Sequence, residues 1–452
     1  MFLPRRPVLP LIRAAAGLAL AIGALAAAAS CSAPSGAADE KGASVAAAAR
    51  PSQSADVRAG DEADELLRVA DAIEKRVEEL RGLSFKRPVP RVIRTAEEIR
   101  KDFLEARFDE LFPREKRLGD EKALAVFGLL PPETDLKELL LDLLAEQVGG
   151  YFDPWRRELT VRANYPLDVL KLILAHEITH ALDDQHFDLE KLIRECQMDD
   201  DLAFAHGSVT EGSAMDVMMR YGASEPSLFL GAMADPAVQQ TDVLQKAPPY
   251  LALSLVLPYV KGLAFLQHQK ARGTSVDDVF RNLPRSSEQI LHPEKYGVDL
   301  PVEVAPPDVG ARLGPYWREV ARGRLGEVGV SAVFLPLFSP GPLDVMAIAS
   351  GTGTDYVATG WGGDAFVAYE NSANRRVLVA WRTAWDSDED ASEFTLAFHD
   401  LVYRRDPGAR LERVEPFVFR TASGEVILSR RGLVVDVVIG AFPDQVDSLI
   451  GE

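Results

Sequence analysis

Four of the seven histidines in this 452-residue chain fall between positions 176 and 206, and two of them stand in the run His176-Glu177-Ile178-Thr179-His180. Residues four apart on an α-helix lie about 40° apart around it and about 6 Å apart along it. Both imidazoles can therefore reach one ion. Glu177 projects at a neighbouring angle, which suits a proton acceptor beside the ion better than a ligand on it. The chemistry on offer is hydrolysis. A zinc ion held by such a pair lowers the pKa of its bound water towards about 7 and polarises a carbonyl. Glu177 would take the water proton and pass it to a leaving amine.

A catalytic zinc site needs a third protein ligand and one open position. Two residues compete for that role. His186 follows His180 by six residues, the spacing of the metzincin pattern HExxHxxGxxH, in which a glycine ends the helix so that the chain can swing back. Asp183 stands where that glycine would be. Aspartate enters the left-handed conformation less readily than glycine, and the apolar pattern continues past it. Glu211 lies in DDDLAFAHGSVTEGSAMDVMMRYG, residues 199–222. This stretch reads as a helix capped by one of Asp199 to Asp201 and closed by Gly222. Gly207, Ser208, Glu211, Gly212 and Ala214 gather towards one side of it. Such a small-residue surface would let the helix lie against the motif helix, with the carboxylate facing the ion.

The elements that must hold these residues are legible in outline. In DEADELLRVADAIEKRVEELRG, Leu66, Val69, Ile73, Val77 and Leu80 recur at helical spacing, predicting an amphipathic helix from residue 61 to Gly82. GGYFDPWRRELTVRAN, residues 149–164, reads as a β-hairpin turning at Asp153 to Arg157. Asp168 is placed to cap the motif helix, and Asp183 and Asp184 read as its solvated end. APPYLALSLVLPYVKGLAFL is apolar enough to raise the question of a membrane, but three prolines and Lys261 interrupt it, so it reads as buried core helix. Towards the C-terminus, DAFVAYE, RVLVAWRTAW, GEVILSR and GLVVDVVIGAF are strand-like, with a helix around DEDASEFTLAFHDLVYR. The expected fold is α+β: a largely helical zincin-like domain over residues 61–300 with a small sheet or hairpin before the motif helix, a Pro/Gly-rich linker over 301–344, and an α+β module over 345–452.

The N-terminal segment reads as an export signal. Arg5, Arg6 and Arg13 precede an uncharged run from Ala14 to Ala29, short for a membrane span. Ala28-Ala29-Ser30-Cys31 resembles the lipobox of bacterial lipoproteins, which makes Cys31 the expected lipidation site and residues 1–30 a signal peptide. Ordinary cleavage to a soluble secreted protein is the alternative. Residues 31–60 read as a disordered tether. Cys196 then stands alone, so the fold has no intramolecular disulfide to draw on, and its thiol reads as a small buried side chain. Net charge is −19, and removing residues 1–30 takes away three arginines and no acid, leaving −22. That surface repels phosphate backbones and anionic headgroups, which argues against nucleic acid as a partner. Membrane attachment would come from the lipid, in the outer membrane where the cell has one.

HEITHALDD is similar to the thermolysin-type segment. GGYFDP, HEITHALDDQHFDL, TEGSA, SSEQILHPEKYG and TGWGGDAFVAYE together resemble a group of bacterial envelope metallopeptidases of gluzincin type, a likeness that spans roughly residues 60–420. Carried over by position, it implies zinc ligands His176, His180 and Glu211, Glu177 as catalytic base, and a protein or peptide substrate. The resemblance also makes His292 a candidate for stabilising an oxyanion. The chain departs from the group at Asp183, where a glutamine is usual, and at Ser213, where an aspartate is. Many gluzincins place an aspartate four residues after the ligand glutamate to orient a histidine; here that residue is Met215, with Asp216 another 100° around the helix. Two other readings stay open: a zinc-binding envelope assembly factor without peptidase activity, and a structural lipoprotein with incidental histidines.

Overall fold

The computed structural model describes residues 55–101, 108, 113–147, 149–196, 199–236, 246–338 and 357–450. The expected signal peptide, Cys31 and most of the tether lie outside the described residues. Helix α1, Ala55–Arg81, begins inside the stretch read as tether. It buries Leu66, Ala70, Ile73 and Val77 along one stripe, and Gly82 ends it at φ 77°.

A three-stranded sheet follows, in the order β1-β3-β2. Strand β1 (Arg91–Arg94) runs parallel to β3 (Glu158–Arg162), and β2 (Gly150–Asp153) pairs antiparallel with β3 as the expected hairpin. Asp153 Oδ1 accepts from the amides of Trp155 (2.9 Å) and Arg156 (3.1 Å), folding the turn onto its own side chain. Between β1 and β2 lies helix α2, Arg114–Val126, which its charge-rich sequence concealed.

The motif helix α3, Leu167–Phe187, is the centre of the helical part and is buried from Leu172 to Gln185 without interruption. Its N-cap is Pro166, not Asp168, which sits in the first turn near Lys171. There its charge still suits the positive end of the helix dipole. After the short helix α4 (Leu189–Glu195) comes α5, Asp200–Ser224, capped by Asp199, whose side chain accepts from Leu202 N at 3.0 Å. It runs through Gly222 instead of stopping there. A Cβ on Gly222 would meet Phe229 at 2.7 Å, so this glycine serves packing. Helix α6, Pro249–Ala271, is long and apolar enough to cross a membrane, yet most of that apolar run is buried inside the protein.

The remainder is a seven-stranded antiparallel sheet in the order β4-β5-β6-β10-β9-β8-β7. Its strands are β4 (Trp317–Gly323), β5 (Trp361–Asn371), β6 (Val377–Trp385), β7 (Arg410–Val414), β8 (Phe417–Thr421), β9 (Gly424–Arg431) and β10 (Val434–Ala441). Helices α7 (Gly326–Phe338) and α8 (Asp388–Arg405) cover one face. The stretch expected as a linker thus carries β4, paired with β5, and α7. Exposed charged residues along the outer strand β4 hid its β character. One apolar core joins the two parts: Phe127 beyond α2 packs edge-on against Phe366 and Trp381 of the sheet, at 5.3 and 5.2 Å between ring centres.

Candidate metal centre

Helix α3 presents His176, Glu177 and His180 on buried turns, and α5 brings Glu211 against them from a distance of 30-odd residues in sequence. His176 Nε2 lies 3.0 Å from Glu211 Oε2, His180 Nε2 lies 3.4 Å from the same oxygen, and the two Nε2 atoms are 2.9 Å apart. Three donors bonded at about 2.0–2.1 Å to a tetrahedral ion sit about 3.3 Å from one another. The observed triangle has that size. All three side chains are buried and their ligand atoms converge, so the group can hold a metal ion.

Electrostatics supports the same reading. Burial, and then the adjacent His180, hold His176 down to about 4. Burial also opposes charge on His180, but the Glu211 carboxylate outweighs it and lifts His180 to about 9. Burial would raise Glu211 as well, yet His180 and the hydrogen bonds from both imidazoles bring it to about 2. The carboxylate and the two imidazoles thus favour positive charge between them. Glu177 stands beside this group but outside the triangle. Its Oε2 accepts from Phe152 N on strand β2 at 2.9 Å, and its Oε1 is buried with no hydrogen-bond partner among the described residues. Burial pushes its carboxyl up to about 8.

The rival ligand is elsewhere. The helix continues through Asp183 to Phe187, and His186 turns away to the Ser84 carbonyl, 2.9 Å from its Nε2. The chain reverses only at Asp188, φ 56°. Asp183 and Asp184 are not a solvated end. Both are buried: Asp183 accepts from Arg81 Nε at 2.8 Å and Ser213 Oγ at 2.7 Å, and Asp184 accepts from Leu189 N at 3.2 Å. Asp216 is bound to Lys270 and Arg220, each at 2.8 Å, rather than to a ligand histidine. Nor does His292 reach towards the triangle in any contact seen; its Nε2 lies 2.8 Å from Glu327 Oε1.

The module beyond the site has a counterpart among known domain families. Residues 312–449 match a family described as a domain of unknown function, DUF8575. The match covers the seven-stranded sheet and its helices and ends well short of His176, His180 and Glu211. No curated protein and no solved structure matches the chain.

Three features of the site escaped the sequence reading. The amide of Phe152 anchors Glu177, which depends on the register of an edge strand. The Tyr259 ring on α6 stacks on His176, 5.8 Å between centres and 23° between planes. A small, mostly apolar cavity of about 50 Å³ opens beside His180 and Glu211, walled by Phe152, Leu189, Leu192 and Ile193. Cys196 and His206 complete that wall, Sγ to Nδ1 3.0 Å, with the thiol buried as expected. The small-residue surface of α5 also lies differently than predicted. Ser208 and Gly212 meet Gly262 of α6, where a Cβ on Gly262 would fall 2.0 Å from Ser208 O. A second convergence of acids, Glu288, Asp299 and Asp386, already encloses a cation: Lys295 Nζ lies 2.5, 3.1 and 2.8 Å from them.

Proposed function

We propose that this protein is a zinc-dependent endopeptidase of gluzincin type, exported to the bacterial cell envelope and held there by a lipid on Cys31. The observation that carries the reading is the donor triangle of 2.9, 3.0 and 3.4 Å, with an unpartnered Glu177 oxygen buried beside it. His176, His180 and Glu211 would hold the ion. A zinc bound there supplies an acidified water and a polarised carbonyl.

The chain's own part follows from its geometry. Phe152 N–H fixes one oxygen of Glu177, leaving the other to take a proton from water and return it to the leaving nitrogen. The apolar surroundings that keep its carboxyl basic suit it to that task. The cavity between α4 and α5 would seat an apolar side chain of a peptide lying along the edge strand β2. Export and lipid attachment rest on the sequence from Arg5 to Cys31.

The test is paired. The zinc content of the chain from residue 32 onward is measured, and cleavage of an unstructured protein is compared between wild type and Glu177→Gln. One zinc per chain, with activity in the wild type alone, supports the peptidase. Zinc with equal turnover in both proteins would remove Glu177 from the mechanism. Zinc without turnover favours the assembly-factor reading, and absence of zinc favours a structural lipoprotein.

A further inference from the structure

Metal-binding imidazoles are normally held in plane by their second ring nitrogen, which donates to a carboxylate, a carbonyl or water. Here Nδ1 of His176 and Nδ1 of His180 are buried, and neither has a hydrogen-bond partner among the described residues. The carboxylates that might serve are committed elsewhere: Asp183 to Arg81 and Ser213, and Asp216 to Lys270 and Arg220. Position 215, one helical turn after Glu211, is a methionine packed with Val169, Leu172 and Tyr259.

What faces His176 is a ring. Tyr259 is fully buried and lies nearly parallel to the imidazole, 23° between planes. We infer that Tyr259 is a positioning residue for the metal centre, fixing the plane of His176 by stacking where a hydrogen-bonded carboxylate would otherwise do so. The inference rests on the metal site of the proposed function. The nearly parallel Tyr259 face favours the imidazole orientation that aims Nε2 at the point where His180 and Glu211 converge.

The same helix crossing sets both partners of His176. Gly262 on α6 and Gly212 on α5 meet backbone to backbone; a Cβ on Gly212 would lie 2.4 Å from Gly262 C. Glu211 is the residue before Gly212, and Tyr259 stands nearly one turn before Gly262. A single close contact thus joins the helix that brings Glu211 to the Nε2 of this imidazole and the helix that brings Tyr259 to its face. The glycines are what let the carboxylate and the phenol come so near together.

The experiment measures zinc affinity by chelator competition in wild type, Tyr259→Phe, Tyr259→Leu and Tyr259→Met. Phe keeps the ring, whereas Leu and Met keep apolar bulk without a plane. Phe265→Leu is the control, since Phe265 is a buried aromatic on the same helix that packs edge-on against Tyr296. Loss of an orienting partner typically costs about 10–100-fold in metal affinity. That loss is expected for Leu and Met, with Phe and the control within about threefold of wild type. In the metal-free protein, the His176 ring protons should show an upfield ring-current shift that Phe retains and Leu and Met lose. The Met variant also stands in if the Leu variant does not fold. Wild-type affinity in Leu and Met would overturn the positioning role, as would a loss in Phe equal to theirs, which would assign the effect to the hydroxyl. Absence of zinc from wild type would overturn the metal centre itself and this inference with it.

Discussion

Replacing Gly262 by alanine tests whether the α5–α6 crossing is as tight as its geometry implies. In an ordinary helix this change stabilises, by about 1 kcal/mol, because glycine is a poor helix former. Here the new methyl carbon would lie 2.0 Å from the Ser208 carbonyl oxygen, 2.8 Å from its carbon and 3.2 Å from Gly212 N. A carbon–oxygen contact needs roughly 3.3 Å, so the helices must part by about 1 Å. The opposing atoms belong to backbone, which cannot rotate away as a side chain could. Overpacking of this kind costs typically about 1–3 kcal/mol, and a backbone-against-backbone clash belongs at the upper end. After the propensity gain, the expected net loss is about 1–2 kcal/mol. Urea unfolding of the metal-free protein, followed by helical circular dichroism, reads that loss directly. The separation also draws Glu211 and Tyr259 away from His176, so zinc affinity should fall alongside stability. A Gly262→Ala protein as stable as wild type or more so, with zinc affinity intact, would show that propensity outweighs contact and that the crossing is not what sets the site.

Two further outcomes follow from named contacts. Glu211→Ala should abolish stoichiometric zinc binding, while His186→Ala should leave it unchanged because His186 faces the Ser84 carbonyl; metal analysis of the two purified variants decides between them, and the reverse result would restore His186 as ligand. Asp201 is buried, accepts from Ser287 N at 2.8 Å, and is pushed up to about 7, first by burial. A carboxyl raised in the folded state stabilises fully below its usual value and loses that contribution as pH rises through about 7. Asp201→Asn keeps an acceptor and removes the charge, so relative to wild type it should gain stability from about pH 4 to pH 7, by up to about 4 kcal/mol. Thermal melting across that range would show two parallel curves if Asp201 does not titrate this way.

Local pattern sufficed wherever one residue type imposes one geometry. His176 and His180 had to share a helix face once the segment was helical, and Gly82 had to end α1 because it supplies φ 77°. The hairpin at Asp153 and the α+β class were legible for the same reason: turn chemistry and hydrophobic period act over a few residues. Charge-rich segments misled. In residues 114–126 charged side chains occupy even inward positions, Arg117 being buried, and in 317–323 they line the exposed positions of an outer strand, so neither period emerges; the helix and the strand there are held by neighbours the local sequence does not reveal.

The sequence by itself determined that two histidines and a glutamate stand ready on one buried helix, because those relations are fixed by the helical repeat. Tertiary structure alone decided what surrounds them. It set Glu211, and not His186, beside His176 and His180, since Asp183 is locked to Arg81 and Ser213 and the helix does not break there. It brought Phe152 N–H to Glu177 and the Tyr259 ring to His176. These two contacts join residues 25 and 83 positions apart, and the helix that carries Tyr259 lies against the helix of Glu211 where Gly212 and Gly262 meet along their backbones. No local spacing encodes such an approach; it appears only when the whole core has packed.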